Sequence, residues 1–461
     1  MAVIKGYTLP HPPLAVSDVG RGKEKEISKT LSAMDKVAGE IAEIAPETII
    51  FITPHSTVYS DHFHISPGIR AAGDLRRFGC PDVRFDTVYD RELTDEISVI
   101  AKKSGISAGT QGERDAGLDH GMTVPMWFIN KKYKDYKSIR IAQSGMASTE
   151  HYLLGQVIKK AAENTKRRVV IIASSDLSHR LLPDAPYGFA SEGPIFDKMI
   201  TDALAAGDFL SLMKIPEEIR SGAGECGYNS LMILAGCFDR QDVKADLLSY
   251  EGPFGVGYAV ASFSPTGNND SVSILEVYLD YVTEESEKKR KNEDAFQALA
   301  RASLEHIIRT GDILPVPNGL SDELKNEKAG VFVSLHKNGK LRGCIGTISP
   351  TTGSIADEII QNAVSAGLSD NRFDPVSIDE LPYLVYKVDV LLPAEPISGP
   401  DMLDVKRYGV IIKSGFKRGL LLPNLNGVDT VEEQISIARE KAGITENESI
   451  TLERFEVIRH E

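Results

Sequence analysis

Two uninterrupted apolar runs stand out in the first half of the chain. Thr48-Ile49-Ile50-Phe51-Ile52-Thr53 and Arg168-Val169-Val170-Ile171-Ile172-Ala173 show no polar alternation, which is the pattern of strands buried on both faces. Val3 to Tyr7 reads as a short strand and Ile139 to Ala142 as a weaker one. Between these runs the apolar period changes to three and four. Residues 23–45 place Ile27, Leu31, Met34, Val37, Ile41 and Ile44 on one face of a helix. Residues 151–163, residues 194–206 (Ile195, Met199, Ile200, Ala203, Leu204) and Cys226 to Ala235 read as further helices. This alternation predicts an α/β domain with a central sheet and flanking helices.

The texture changes near residue 264. Ser264-Pro265-Thr266-Gly267-Asn268-Asn269-Asp270 is a turn cluster. A short apolar stretch, 272–282, precedes the charged run 284–294, which reads as a linker passing into a helix. Ala295, Leu299, Ala302, Leu304, Ile307 and Ile308 give that helix an apolar side. The expected organisation is a domain over 1–264, a linker over 265–289 and a second domain over 290–461. The 461 residues accommodate this at roughly 150 residues per domain.

Composition narrows the function classes. Hydrophobic residues make up 42% and charged residues 26%, as in globular proteins generally. The net charge of −14 argues against a nucleic-acid partner, because counterion release needs clustered cations. The densest basic run, Lys288 to Lys291, sits among Glu284, Glu285, Glu287, Glu293 and Asp294 and reads as a solvated helical face. The four cysteines, Cys80, Cys226, Cys237 and Cys344, form no CxxC pair, so a reducing, cytoplasmic location is expected. The start, MAVIKGYTLPHPP, has no basic region leading into an apolar one. No run approaches the length of a membrane span.

The ten histidines are placed informatively. His11 follows the first strand in Leu9-Pro10-His11-Pro12-Pro13, His55 follows the second in Thr53-Pro54-His55, and His179 follows the third in Ser174-Ser175-Asp176-Leu177-Ser178-His179. Ligands of open α/β sheets gather at the carboxyl ends of strands. His120, in Asp119-His120-Gly121, has a turn-like setting, and Glu225 lies in Gly224-Glu225-Cys226-Gly227 at the mouth of a helix. Two imidazoles and one carboxylate make the facial triad of non-haem iron(II) sites, which leaves cis positions open. Proline around His11 and before His55 would preorganise such ligands. Any one strand-end histidine is more often a hydrogen-bonded turn residue; the case rests on the set. His62 and His64 read as a polar strand face, His151 as structural, and His306, His336 and His460 show no metal-like spacing.

As a set, His11 in Pro-His-Pro-Pro, His55 in Thr-Pro-His, His120 in Asp-His-Gly, His179 in Ser-Ser-Asp-Leu-Ser-His and Glu225 resemble the catalytic subunit of class III (LigB-type) extradiol dioxygenases. Memo-like proteins share that fold. The resemblance covers about residues 1–264 and implies roles. His11, His55 and Glu225 would hold Fe(II) or another divalent metal. His179 would be the acid/base group and His120 would hydrogen-bond substrate or oxygen. The substrates would be a catechol-like aromatic and dioxygen. The Memo branch departs from the carboxylate ligand, and Glu225 favours the dioxygenase pattern. Cys226, next to it, reads as a small buried hydrophobe. Phe254 and Tyr258 are candidates for pocket lining, with core packing the equal alternative.

The second half is similar to a different family. Leu341-Arg342-Gly343-Cys344-Ile345-Gly346 looks like the signature of the AMMECR domain, supported by Asp370-Asn371-Arg372-Phe373-Asp374-Pro375-Val376, Glu380-Leu381-Pro382 and Arg418-Gly419-Leu420-Leu421-Leu422-Pro423. This implies an α+β domain over about 290–461. If Leu341 to Ile345 is a strand, Arg342 and Cys344 face one way. Cys344 is then either an activated thiol or a packed one. The fusion resembles the protein A family of AmmeMemoRadiSam systems, implying a radical-SAM partner. This chain has no CxxxCxxC for a cluster of its own. Two readings follow: an iron(II)-dependent ring-cleavage dioxygenase, or a metal-binding accessory protein without catechol activity. A pure interaction scaffold is a weaker third reading, and a homo-oligomer is left open.

Overall fold

The computed structural model describes residues 2–114, 117–269, 273–337, 340–425, 427–445 and 447–461. The chain divides into two compact units, Met1–Leu279 and Asp280–Glu461. Asp270 and residue 272 lie outside the described residues.

The first unit is built on a sheet of β1 (Val3–Leu9), β2 (Thr48–Thr53), β7 (Lys137–Ala142), β8 (Val169–Ser174), β9 (Gln241–Glu251) and β10 (Tyr258–Asn268). Their spatial order is β7-β2-β8-β1-β10-β9. The first four run parallel, and β10 and β9 add antiparallel. Every residue of β2 and β8 is buried, as the apolar runs require. Alternate side chains divide between two cores. Ile50, Ile52, Ile171 and Ala173 pack with Ile97, Leu154, Ile158 and Leu231 from helices Arg91–Lys103, Ser148–Thr165 and Tyr228–Cys237. Ile49, Phe51, Val170 and Ile172 pack with Met34, Val37, Ile41 and Met122 from helices Ser28–Ile44 and His120–Ile129. Between β2 and β7 lie a short parallel pair, β3 (Phe63–His64) with β6 (Ala108–Gly109), and a hairpin, β4 (Arg70–Leu75) with β5 (Cys80–Val88).

Much of the described part of 265–289, expected as a linker, is regular structure, and the boundary between the units falls within it. Strand β10 continues to Asn268, and a helix spans Ile274–Asn292. Pro265 is tolerated because β1 pairs β10 only at Ala261 to Phe263, and the pairing with β9 shifts register between Pro265 and Gly267. No central partner there needs the missing N–H.

The second unit holds two four-stranded antiparallel sheets, as expected of an α+β fold. One is β12 (Lys340–Gly346), β11 (Val331–Lys337), β13 (Leu384–Leu391) and β18 (Val457–His460), in that order. Val331, Val333, Leu335, Tyr386 and Val388 pack under helices Ala295–Thr310 and Ile355–Leu368. The other is β14 (Glu395–Ile397), β17 (Thr451–Phe455), β15 (Gly409–Ser414) and β16 (Lys417–Leu421), covered by helix Val431–Ala442. A bulge corrects the expectation that Arg342 and Cys344 share a face. Leu335 pairs with Gly343 and His336 with Leu341, so Arg342 is the extra residue, and the alternation slips by one across it. Leu341 and Cys344 face the same way, and Arg342 instead grips Glu380 through two hydrogen bonds of 2.9 Å.

Candidate functional site

Strands β2, β8 and β1 are adjacent and parallel, so their carboxyl ends share one edge. Leu9 pairs with Ser174, and Ile52 with Ala173. His11, His55 and Asp176 each lie two residues past such an end, and His179 lies five past. His11 is 1% exposed. Its backbone N–H donates to Asp176 Oδ1 at 2.8 Å, and its Nδ1 lies 2.9 Å from Ser174 Oγ. Ser174 spends its single hydroxyl proton on the Gly121 carbonyl at 2.5 Å. Its oxygen can therefore only accept from His11, which fixes the imidazole with hydrogen on Nδ1 and a bare lone pair on Nε2.

That lone pair points at two other donors. His55 Nε2 is 3.0 Å away and Cys226 Sγ is 3.6 Å away. The ligand atoms of His11, His55 and Cys226 all lie within 4.8 Å of one another. Two nitrogens each about 2.1 Å from one ion stand about 3.0 Å apart at a right angle and about 3.4 Å apart in a tetrahedron, so the spacing fits a shared metal. Charge agrees. Burial, then His55, His120 and His179, hold the His11 imidazole well below its ordinary pKa, keeping it neutral. Burial, then Asp176 and Glu225, push the Cys226 thiol well above its ordinary value. A bound cation is what would let that proton leave.

Glu225, the expected carboxylate ligand, makes a different contact. Its carboxylate accepts the Tyr228 N–H at 2.6 Å, at the start of helix Tyr228–Cys237. Among the described residues it is not part of the gathered donor group. The free N–H groups of a helix start attract the nearest acid, and burial pushes its pKa up to about 7. Cys226, its neighbour, is the third member of that group.

His120 opens its helix and stacks on His55, ring centroids 4.0 Å apart. Phe78 meets its other edge at 5.4 Å. Burial, then His55, lower its pKa to about 4. His179 stacks on Tyr187 at 5.2 Å, and burial, then His55, lower its pKa too. A cleft of about 600 Å³ opens beside His55 and His120, with Arg76, Arg77, Phe78 and Arg140 on its walls. Asp176 is raised by burial to about 7, and its Oδ2 lies 3.7 Å from His11 Nε2. Tyr258 is core and Phe254 packs against that core; neither lines this cleft. His151 is buried, with Nδ1 on the Ala147 carbonyl. His62 and His64 bond Ser107 and the Gln111 carbonyl. The roles of Cys226, Ser174 and the arginines of the cleft were not read from sequence. The adjacency of Cys226 to Glu225 at a helix start was the available signal.

Comparison with known proteins agrees with this architecture. The family described as the catalytic LigB subunit of aromatic ring-opening dioxygenase matches residues 5–261, and the AMMECR1 family matches residues 297–460. Protein CA_C1420 of Clostridium acetobutylicum is 42% identical over 98% of both chains. A Thermotoga maritima protein is 48% identical over 34% of this chain and 91% of its own. The crystal structure of PH0010 from Pyrococcus horikoshii shares 33% identity over 36% of this chain and 88% of its own, with a TM-score of 0.33. No helix among the described residues is long and apolar enough to cross a membrane. The chain belongs to the family of proteins that carry a LigB domain followed by an AMMECR1 domain.

Proposed function

We propose that the LigB domain holds one transition-metal ion on His11, His55 and Cys226 and works as a Memo-like metal protein rather than as a carboxylate-ligated catechol dioxygenase. The carrying observation is the donor set: two neutral imidazoles and a thiol share one point, while the nearby carboxylate caps a helix. A thiolate is softer than a carboxylate and favours zinc, copper(I) or iron over magnesium or calcium. The metal would supply Lewis-acid or redox chemistry. Ser174 orients His11, Asp176 holds the His11 backbone, and His120 on the cleft wall and His179 within electrostatic reach of His55 stay neutral. Both can accept or return a proton. Work with a radical-SAM partner belongs to this reading.

A second reading is iron(II)-dependent ring cleavage of a catechol-type aromatic with dioxygen. The cleft beside His55 and His120 favours it, since it offers a planar substrate room next to the donors.

Metal content and turnover separate the two. Purified chain loaded with iron(II) should retain stoichiometric metal, lose it in Cys226→Ala and keep it in Glu225→Gln. It should leave a panel of catechols uncleaved in air. Metal loss in Glu225→Gln alone, or catechol cleavage that disappears in His179→Ala, would establish the dioxygenase reading instead.

A further inference from the structure

The AMMECR1 unit contains a cavity of about 720 Å³ that the LigB chemistry leaves unused. Sheet register builds one wall. Because of the bulge at Arg342, Phe332, Ser334 and His336 on β11 face Gly346, Cys344 and Leu341 on β12, and all six line the cavity. Lys387 and Asp389 extend the row from β13, opposite Ser334 and Phe332. The other wall is apolar: Leu420, Leu421, Leu422 and Leu425 come from β16 and the turn after it. The space therefore offers both apolar and polar lining.

The polar lining is strongly cationic: Arg372, Lys387, Arg418, Lys441 and Arg459 contribute to it, against Asp389 as the acid. Three of these cations are already neutralised: Arg372 by Asp370 at 2.7 Å, Lys387 by Glu461 at 2.6 Å and Arg459 by Asp389 at 2.7 Å. Among the described residues, Arg418 and Lys441 have no carboxylate within ion-pair distance. His336 adds a buried Nδ1 with no hydrogen-bond partner. Burial raises the Cys344 pKa, and its sulfur takes the Ser334 hydroxyl at 3.2 Å, so the proposal gives this thiol no catalytic part. Two solvent-exposed cations without ion-pair partners and an orphan ring nitrogen therefore flank the leucines of the cavity.

We propose that this cavity binds a small amphipathic anion, its oxyanion head between Arg418 and Lys441 and its apolar body against Leu341, Leu420, Leu422 and Leu425. Charge-assisted hydrogen bonds to the head give orientation, and the leucines supply the area buried from water.

The test uses the full chain with decanoate and decyl phosphate as probes, followed by titration calorimetry. The two head groups distinguish a carboxylate ligand from a phosphate one. Saturable binding is expected for one or both. Losing a charge-assisted pair should weaken it about tenfold or more, both for 1-decanol in place of the anion and for the Arg418→Gln/Lys441→Gln double variant. Bound probe should also shield Cys344, but not Cys80, from iodoacetamide in peptide mass spectrometry of the unaltered chain. This readout holds even if the double variant is unstable. Absence of saturable binding, equal affinity for 1-decanol, an unweakened but folded double variant, or unchanged Cys344 labelling would each overturn the proposal.

Discussion

Ser174 Oγ sits 2.9 Å from His11 Nδ1 and gives its own proton to the Gly121 carbonyl. This pair sets which nitrogen of His11 is free to bind. Removing the hydroxyl leaves the imidazole able to rotate or to carry hydrogen on Nε2. Ser174→Ala should therefore lower metal affinity about 10–100-fold, the usual cost of losing a group that orients a ligand. Competition against a chelator of known affinity measures it. An unchanged affinity would mean that the backbone bond to Asp176 alone orients His11.

The thiol invites a separate test. Cys226→Asp replaces sulfur by a carboxylate at the same position. A metal bound through Cys226 should shift from thiolate to oxygen ligation, which X-ray absorption reads as loss of the sulfur shell near 2.3 Å for zinc. If the sulfur shell is missing already in the unaltered protein, Cys226 is not a ligand.

The strands that carry the site were legible because burial on both faces leaves no room for polar residues, as at Thr48 to Thr53. Three histidines past strand ends were legible for the same topological reason. The third donor was not. Glu225 and Cys226 are neighbours, and the contacts of each depend on the exact start of the helix at Tyr228, whose N–H donates to the carboxylate. The slip at Arg342 was hidden likewise, because a bulge depends on partner strands 331–337 and leaves no period in strand 340–346 itself. The Ser264 to Asp270 cluster read as a turn, although the pairing with β9 continues past Pro265 to Asn268.

Helices Ser148–Thr165 and Tyr228–Cys237 touch through two glycines. A Cβ on Gly236 would lie 1.9 Å from the Tyr152 carbonyl oxygen, and one on Gly155 would lie 2.1 Å from that of Ile233. Backbone cannot yield as a side chain can. Gly236→Ala should destabilise the first unit by about 1–3 kcal/mol or more, the range of overpacked cores. Urea denaturation followed by circular dichroism checks this, and a loss under about 0.5 kcal/mol would show that the helices slide apart freely.

Glu380 predicts a pH window in the second unit. Burial alone would raise its pKa, but hydrogen bonds from Arg342 and Lys337 outweigh that and lower it from 4.5 to about 2. A depressed folded-state pKa contributes stability above the unfolded value, and that contribution fades as pH falls through the folded one. The Glu380 contribution should thus be complete above about pH 5 and fade from about pH 4.5 down to about 2. Solvent reaches this cluster, so about 1 kcal/mol at neutral pH is the expected size after screening. Glu380→Gln should unfold at lower urea than the unaltered chain at pH 7, and the gap should narrow at pH 3. A gap that stays constant across both pH values would assign the loss to packing rather than to charge.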